Sequence, residues 1–334
     1  MTLRNLLSLT GSALLFVVVV PMHAATSSVT AAAVNKSSGH PVLTASSQRS
    51  AELHTASVVR AQILLDRAHF SPGEIDGRFG ATMRGAIAAF HRARKIKGGA
   101  GVSAATWKAL NRDTAPAIVS YTLTAEDVAG PFTAIPEEMA DKAKLPALGY
   151  ESITEALGEK FHVSPSLLAA LNPRQKFNRA GAVIQVPGVV RPPIAKSAGM
   201  TVRVSRSAGS VEALDANGTV VARYPATTGS KYDPLPLGEW KINGVARNPT
   251  YNYNPDLFWD AEASEKKVKL AAGPNSPVGV VWIDLSKPHY GIHGTPVPST
   301  IGKTSSHGCI RLTNWDALDL AQIVTPGMTA VLVE

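Results

Sequence analysis

From Met200 onward the chain is a succession of short apolar runs cut by glycine and proline, and that punctuation limits what it can fold into. TVRVSRSAGSVEAL alternates in places, DANGTVVARY carries the Asn217-Gly218 pair that suits a tight hairpin, and VGVVWIDL is a dense apolar run ahead of a loop. Period-two patterning gives each strand one face to bury, and frequent turns keep the strands short. A β-rich sandwich or barrel-like domain is expected. One helix interrupts it: Thr313 and Asp316 have capping-box spacing in TNWDALDLAQIV, and Gly327 follows before the closing strand TAVLVE.

Upstream the period changes. In ATMRGAIAAFHRARK, Met83, Ala86, Ile87 and Phe90 fall at helical spacing on one apolar stripe. The helices VVRAQILLDRAHF and SAATWKAL flank it, and FSPGEIDGRFG supplies two turn signals, Pro72-Gly73 and Asp76-Gly77. Further on, YTLTAEDVAGPF is followed by a proline-containing insertion and then by two helix starts, Ser152 with Glu155 and Ser164 with Pro165. Asn172-Pro173 stops the second helix and AGAVIQVPG reads as a strand, giving the order strand, helix, helix, strand. The whole is a multidomain α+β protein.

The N-terminus, MTLRNLLSLTGSALLFVVVVPMHAATSS, has one arginine (Arg4), an apolar stretch from Ala13 to Pro21 and small residues at Ala24 and Ala25. A cleaved signal peptide is expected over 1–24. The uncharged run is shorter than the ~20 residues a spanning helix needs, so no stable membrane span is expected. Residues 25–56, rich in Ser, Ala, Thr and Val, read as a flexible linker. The formal charge of +8 suits an anionic cell envelope. No Lys/Arg block interleaves with aromatics, which argues against a nucleic-acid partner.

Cys309 is the one cysteine in the chain, so no internal disulfide can hold the fold. It sits in SSHGCIRL near His289, His293 and His307. A thiol attacks carbonyls as the thiolate, which a histidine or positive local dipoles make accessible at neutral pH. His293 ends the apolar run YGIH, from which a loop can aim it at Cys309. Gly308 is expected to leave room for a substrate backbone, and the amides of Gly308 and Cys309 to hold an oxyanion. A metal site from His293, His307 and Cys309 asks for ligand geometry that a catalytic loop rarely offers, so neither metal nor cofactor is expected. Trp240, Trp259 and Trp282 read as core or pocket-wall aromatics, and the tyrosines of NPTYNYNPDLFW as cleft lining or a packed loop.

IHGT followed by SSHGCIRL is similar to the signature of the L,D-transpeptidases, the YkuD-type catalytic domain, and TTGSKYDPLPLGEW resembles that family's threonine-glycine stretch. The resemblance implies a catalytic domain over 200–334, with Cys309 as nucleophile and His293 as general base. It implies that the carbonyl of Gly294 orients the imidazole, where many triads use a carboxylate. Ser306 and His307 then shape the pocket. Arg311, at a position that is asparagine in many relatives, steers a substrate carboxylate. The implied reaction joins Cys309 to the third residue of a peptidoglycan stem peptide and expels terminal D-alanine. An amine acceptor, on a second stem or on a protein, resolves the thioester; water would make the enzyme an L,D-carboxypeptidase. The rival is a non-catalytic wall-binding protein, against which the intact Cys309 and His293 count.

VVRAQILLDRAHFSPGEIDGRFGATMRGAIAAFHRARKI resembles the peptidoglycan-binding helical repeat, placing such a domain over 57–112. LLAALNP and VIQVP resemble a LysM glycan-binding module, expected over 119–190 with an insertion. These resemblances imply glycan strands as partners and a periplasmic, wall-associated protein, although a degenerate helical domain and a spacer remain open for the two modules. Every residue assigned to chemistry follows Met200. A fragment starting there is therefore expected to acylate a soluble stem peptide at close to the full-length rate, with the upstream modules adding retention on the wall.

Overall fold

The structure, a computed structural model, describes residues 29–37 and 53–334. The expected signal peptide lies outside the described residues, as does much of the expected linker. Among the described residues no helix is long and apolar enough to cross a membrane. Part of the expected linker is ordered: residues Ala31–Lys36 form helix α1, with Thr30 accepting from the Ala33 amide. Two contacts explain this. Val34 is fully buried, and the Asn35 side chain both donates to the Ile118 carbonyl and accepts from its amide, each at 2.9 Å.

Helices α2 (Leu53–Arg67), α3 (Ala81–Arg94) and α4 (Ala104–Leu110) make the first unit. Met83, Ala86, Ile87 and Phe90 of α3 are all buried, and Phe90 meets Phe70 edge-on at 5.3 Å. The turn before α3 is built on Asp76, which accepts from the Arg78 amide, and on Gly77 at φ 73°, whose amide donates to Gln62.

The second unit has strand β1 (Ile118–Thr122), short helices α5 (Ala125–Ala129) and α6 (Met139–Lys142), helices α7 (Ile153–Lys160) and α8 (Pro165–Leu171), and strand β2 (Val183–Pro187) antiparallel to β1. Ser152 accepts from the Glu155 amide, but the Glu155 carboxylate returns to the Glu151 amide, so the expected capping box is one-sided. The insertion carrying α6 is strapped to the third unit: Leu148 donates to the Ala272 carbonyl and accepts from the Asn275 amide, both at 3.0 Å. Gly273 permits that approach, because a Cβ there would lie 2.0 Å from the Leu148 carbonyl oxygen. Ile75 of the first unit inserts its backbone between α7 and α8, donating to the His162 carbonyl and accepting from the Ser164 amide.

The third unit contributes strands β3 (Thr201–Ser205), β4 (Ser210–Leu214), β5 (Val220–Pro225), β6 (Thr227–Thr228), β7 (Gly238–Arg247), β8 (Tyr251–Tyr253), β9 (Val268–Leu270), β10 (Val281–Leu285), β11 (Gly291–His293) and β12 (Ile310–Arg311). Helix α9 (Asn314–Ile323) and strand β13 (Thr329–Val333) complete it. Nine strands form one sheet in the order β5-β4-β3-β13-β7-β10-β11-β12-β6. Its two edge strands are separated in sequence by Ala226 alone, a reach of about 3.5 Å per residue, so the sheet must roll until its edges meet. Val202, Val211, Tyr224, Ile283, Ile292 and Leu320 fill the interior of that roll. The exposed side of β5 is covered by residues 69–71, with Ser71 donating to the Arg223 carbonyl and Arg223 donating to that of His69.

The three units meet at one guanidinium. Arg191, on the segment between β2 and β3, has a buried side chain that contacts Asp66 of α2 and Asp316 and Asp319 of α9. His69 and the Tyr224 hydroxyl also reach Asp319, Ser71 reaches Asp316, and His162 reaches Asp66. Charges with no access to water are tolerated only when paired. Arg191→Met should therefore destabilise the chain by about 3–5 kcal/mol, because three carboxylates lose their cation. A urea titration of both proteins checks this; a loss under ~1 kcal/mol would show the network to be dispensable.

Candidate active site

The parallel pairing of β11 with β12 sets the geometry. Its register places Ile292 beside Ile310 and His293 beside Arg311. Carried back one residue, it places Cys309 beside Gly291, whose backbone N–H favours the thiolate. Residues two apart on a strand share a face, so Cys309 and His293 project on the same side of the sheet, one diagonal apart. On β10, Trp282 pairs with His293, and its ring stacks on the imidazole at 5.5 Å. The same ring covers Gly291, where a Cβ would lie 2.5 Å from it.

The imidazole is buried and its Nδ1 lies 2.7 Å from the Gly294 carbonyl. A carbonyl only accepts, so Nδ1 carries the proton and Nε2 keeps the free lone pair. Burial pushes the His293 pKa down to about 4, with the Arg311 charge adding to the fall and the Gly294 hydrogen bond opposing it. The half-buried Cys309 thiol donates to the His289 carbonyl at 3.6 Å. Burial pushes this thiol up, with the Gly291 amide and Arg311 pulling part of the way back. Both groups are therefore neutral at pH 7. For the Cys309 thiol, burial outweighs the favourable Gly291 and Arg311 contributions, so the resting surroundings oppose the thiolate.

The cysteine loop is held from several sides. Ser306 is buried, and its hydroxyl donates to the Cys309 carbonyl at 2.6 Å. Gly308 has φ 92°, and a Cβ there would lie 2.7 Å from the Tyr290 ring. The space above Gly308 is thus taken by Tyr290, not left open for a substrate backbone. His307 lies over Asp260 (2.8 and 3.0 Å) and meets the Phe258 ring edge-on at 4.9 Å. Arg311 is half-buried between His293, Cys309 and Tyr251, and among the described residues no carboxylate pairs with it.

Of the seven residues singled out from the sequence, His293, Gly294, Cys309 and Arg311 lie on or next to the paired strands β11 and β12, and Ser306, His307 and Gly308 on the loop before Cys309; other residues join them. Tyr251, pushed up to about 12 by burial with the nearby Cys309 adding, faces Arg311 and the thiol. Its place in the alternating TYNY stretch was the available signal. Asp260 and Tyr290 had none, since each matters only through a neighbour distant in sequence. Trp259 is 57% exposed and lies against Tyr232 at 4.3 Å, so it is rim and not core. A separate cleft of about 670 Å³, lined by Phe132, Tyr150, Leu157 and Lys160 among others, opens in the second unit away from Cys309.

A half-buried thiol and an imidazole with a free Nε2 thus lie on one face of a β-rich domain. Comparison with known proteins defines the family. Residues 200–333 match the L,D-transpeptidase catalytic domain, and residues 54–110 match the family described as "Putative peptidoglycan binding domain". The "Putative L,D-transpeptidase YkuD" of Bacillus subtilis is 33% identical over 173 residues, 52% of this chain and 88% of the relative. The "Probable L,D-transpeptidase YcfS" of Escherichia coli is 29% identical over 183 residues, 52% of this chain and 56% of the relative. Among solved structures, L,D-transpeptidase 3 of Mycobacterium tuberculosis aligns at 17% identity with a TM-score of 0.35, covering 46% of this chain and 75% of the other. The chain belongs to the L,D-transpeptidase family.

The neutral resting pair has a measurable consequence. Alkylation of Cys309 by iodoacetamide should keep accelerating above the ordinary thiol pKa of 9.0, because the folded-state value is raised. A plateau reached below pH 7 would instead reveal a resting thiolate–imidazolium pair.

Proposed function

We propose that this L,D-transpeptidase acts on peptidoglycan stem peptides through a thioester on Cys309. Sulfur attacks the carbonyl of the third stem residue while His293 Nε2 takes the thiol proton. A C–S bond forms, the peptide bond to terminal D-alanine breaks, and the imidazolium returns the proton to the departing amine. An acceptor amine then attacks the thioester, giving a 3→3 cross-link or an attached protein and restoring the thiol. The observation that carries this reading is the β11–β12 register, which sets thiol and imidazole on one face, together with the Gly294 carbonyl that commits Nδ1. The amides of Gly308 and Cys309 hold the developing oxyanion. Arg311, with no carboxylate partner among the described residues, takes the substrate carboxylate.

The peptidoglycan-binding domain and the LysM-like second unit raise the enzyme's local concentration at its polymer, in an exported, periplasmic protein. Incubation with a disaccharide-tetrapeptide, followed by mass spectrometry, reads released D-alanine and the acceptor joined; water at that position would mark a carboxypeptidase.

Cys309→Ala should abolish the acyl-enzyme with the fold intact, and D-alanine release at the wild-type rate would exclude Cys309 as nucleophile. His293→Ala should slow acylation by at least ~10²-fold, the usual contribution of a positioned base. His307→Ala should also slow it, through loss of the Asp260 and Phe258 contacts, but without moving the pH profile of thiol alkylation as His293→Ala does. Matching profiles for the two histidine variants would remove that division of roles.

A further inference from the structure

The carbonyl that orients His293 belongs to Gly294, and Gly294 is itself wedged. A Cβ on Gly294 would lie 2.1 Å from Asn314 Oδ1 and 3.3 Å from the Gly279 Cα. A Cβ on Gly279 would lie 2.0 Å from the same oxygen and 2.8 Å from the Gly294 backbone. Two glycines and one amide oxygen are therefore in contact with no slack. A shift of Asn314 toward the two glycines would therefore press on the peptide that carries the Gly294 carbonyl.

Asn314 opens α9 and is 1% exposed. Its Oδ1 accepts from the Val280 amide at 3.2 Å. Its Nδ2 donates to the Pro274 carbonyl at 3.1 Å and to both carboxyl oxygens of Glu159, at 2.8 and 3.0 Å. Each end of the amide meets only groups of the opposite type, so one orientation satisfies it. Glu159 comes from α7 of the second unit, and the Tyr150 hydroxyl reaches it at 3.4 Å. Burial pushes the Glu159 carboxyl up to about 8, the Asn314 hydrogen bond opposing and the Glu155 charge adding. Removing a carboxyl from water is costly unless it is hydrogen-bonded, and here Asn314 and Tyr150 supply those bonds.

We propose that Glu159 is a positioning residue for acyl transfer: it anchors Asn314, Asn314 fixes the Gly279–Gly294 contact, and the Gly294 carbonyl sets the tautomer and aim of His293. The proposal rests on His293 being the base. It makes the second unit part of the catalytic apparatus, so the fragment from Met200 lacks a group the site leans on. On this proposal such a fragment works more slowly than the full chain, contrary to the expectation from sequence.

The test uses the full chain and three proteins: wild type, Glu159→Ala and Glu159→Gln. Glutamine is the isostere of a protonated glutamate and keeps an oxygen that accepts from Asn314. With soluble disaccharide-tetrapeptide, Glu159→Ala should lower kcat about 10-fold, within the ~10²-fold that a misplacement of about 1 Å costs, and leave KM within about twofold. Glu159→Gln should recover most of that loss. Thermal unfolding of each variant establishes that it is folded. Independently of activity, the ¹⁵N signals of the imidazole that disappear in His293→Ala should shift in Glu159→Ala and return in Glu159→Gln. An unchanged kcat with an unchanged imidazole spectrum in folded Glu159→Ala would overturn the proposal, and so would equal losses in the alanine and glutamine variants. If Cys309→Ala or His293→Ala kept full activity, the chemical assignment would fail while the imidazole signals still responded to Glu159→Ala. Intact chemistry with unresponsive signals sinks the positioning role alone.

Discussion

The guanidinium of Arg191 is the interaction on which the arrangement of the whole chain depends. Asp66 on α2 and Asp316 and Asp319 on α9 are each buried, and none of the three has a lysine or a second arginine in contact among the described residues. Arg191 holds Asp66 well below the usual carboxylate range even though burial alone would raise it. The cation sits on an irregular segment, so it reaches its partners only when helical unit, second unit and β domain are all in place. His162 extends the junction by stacking on Trp315 of α9 at 5.1 Å. Helix α9 is thus pinned from outside its own domain, and its first residue is Asn314.

That pinning bears on the chemistry because α9 begins beside the histidine's backbone. In the site, burial acts on the thiol and the imidazole in opposite senses and leaves both uncharged. Arg311 also acts in two senses: its charge favours a thiolate on Cys309 and disfavours an imidazolium on His293. A resting ion pair is therefore disfavoured, and in the proposed reaction the proton would leave sulfur only as it bonds to the substrate. If His293 is the base as proposed, it is a weak one in the free protein, and orientation of Nε2 carries more of the burden. That is where the Gly294 carbonyl and the groups behind it enter.

The upstream units are joined to the catalytic region by backbone as well as by charge. Ile75, in the turn-rich loop of the peptidoglycan-binding domain, is hydrogen-bonded between α7 and α8, and Leu148 of the second unit's insertion is hydrogen-bonded to residues 272 and 275. The insertion that interrupts the strand–helix–helix–strand pattern therefore has a structural use: it reaches the β domain. Such backbone contacts fix relative placement more tightly than side chains alone, since a carbonyl and an amide on each partner leave one register.

Much was legible without coordinates because it is local. The stripe of Met83, Ala86, Ile87 and Phe90 specified a buried helical face, and Asn217-Gly218 a hairpin, since period and turn chemistry depend on neighbours a few residues away. SSHGCIRL carried the family and the thiol. Tertiary structure alone decided the rest. The Glu159–Asn314 contact spans 155 residues, the Arg191 contacts with Asp66 and Asp316 span 125, and His307 meets Asp260 across 47. The capping pair Thr313 and Asp316 was half read: Thr313 does accept from the Asp316 amide, but the Asp316 carboxylate is taken by Arg191 and Ser71. The protonation of the Cys309–His293 pair also lay beyond the sequence. A residue's type sets its ordinary pKa, but the size of its desolvation is set by everything packed around it, and that packing exists only once the chain has closed.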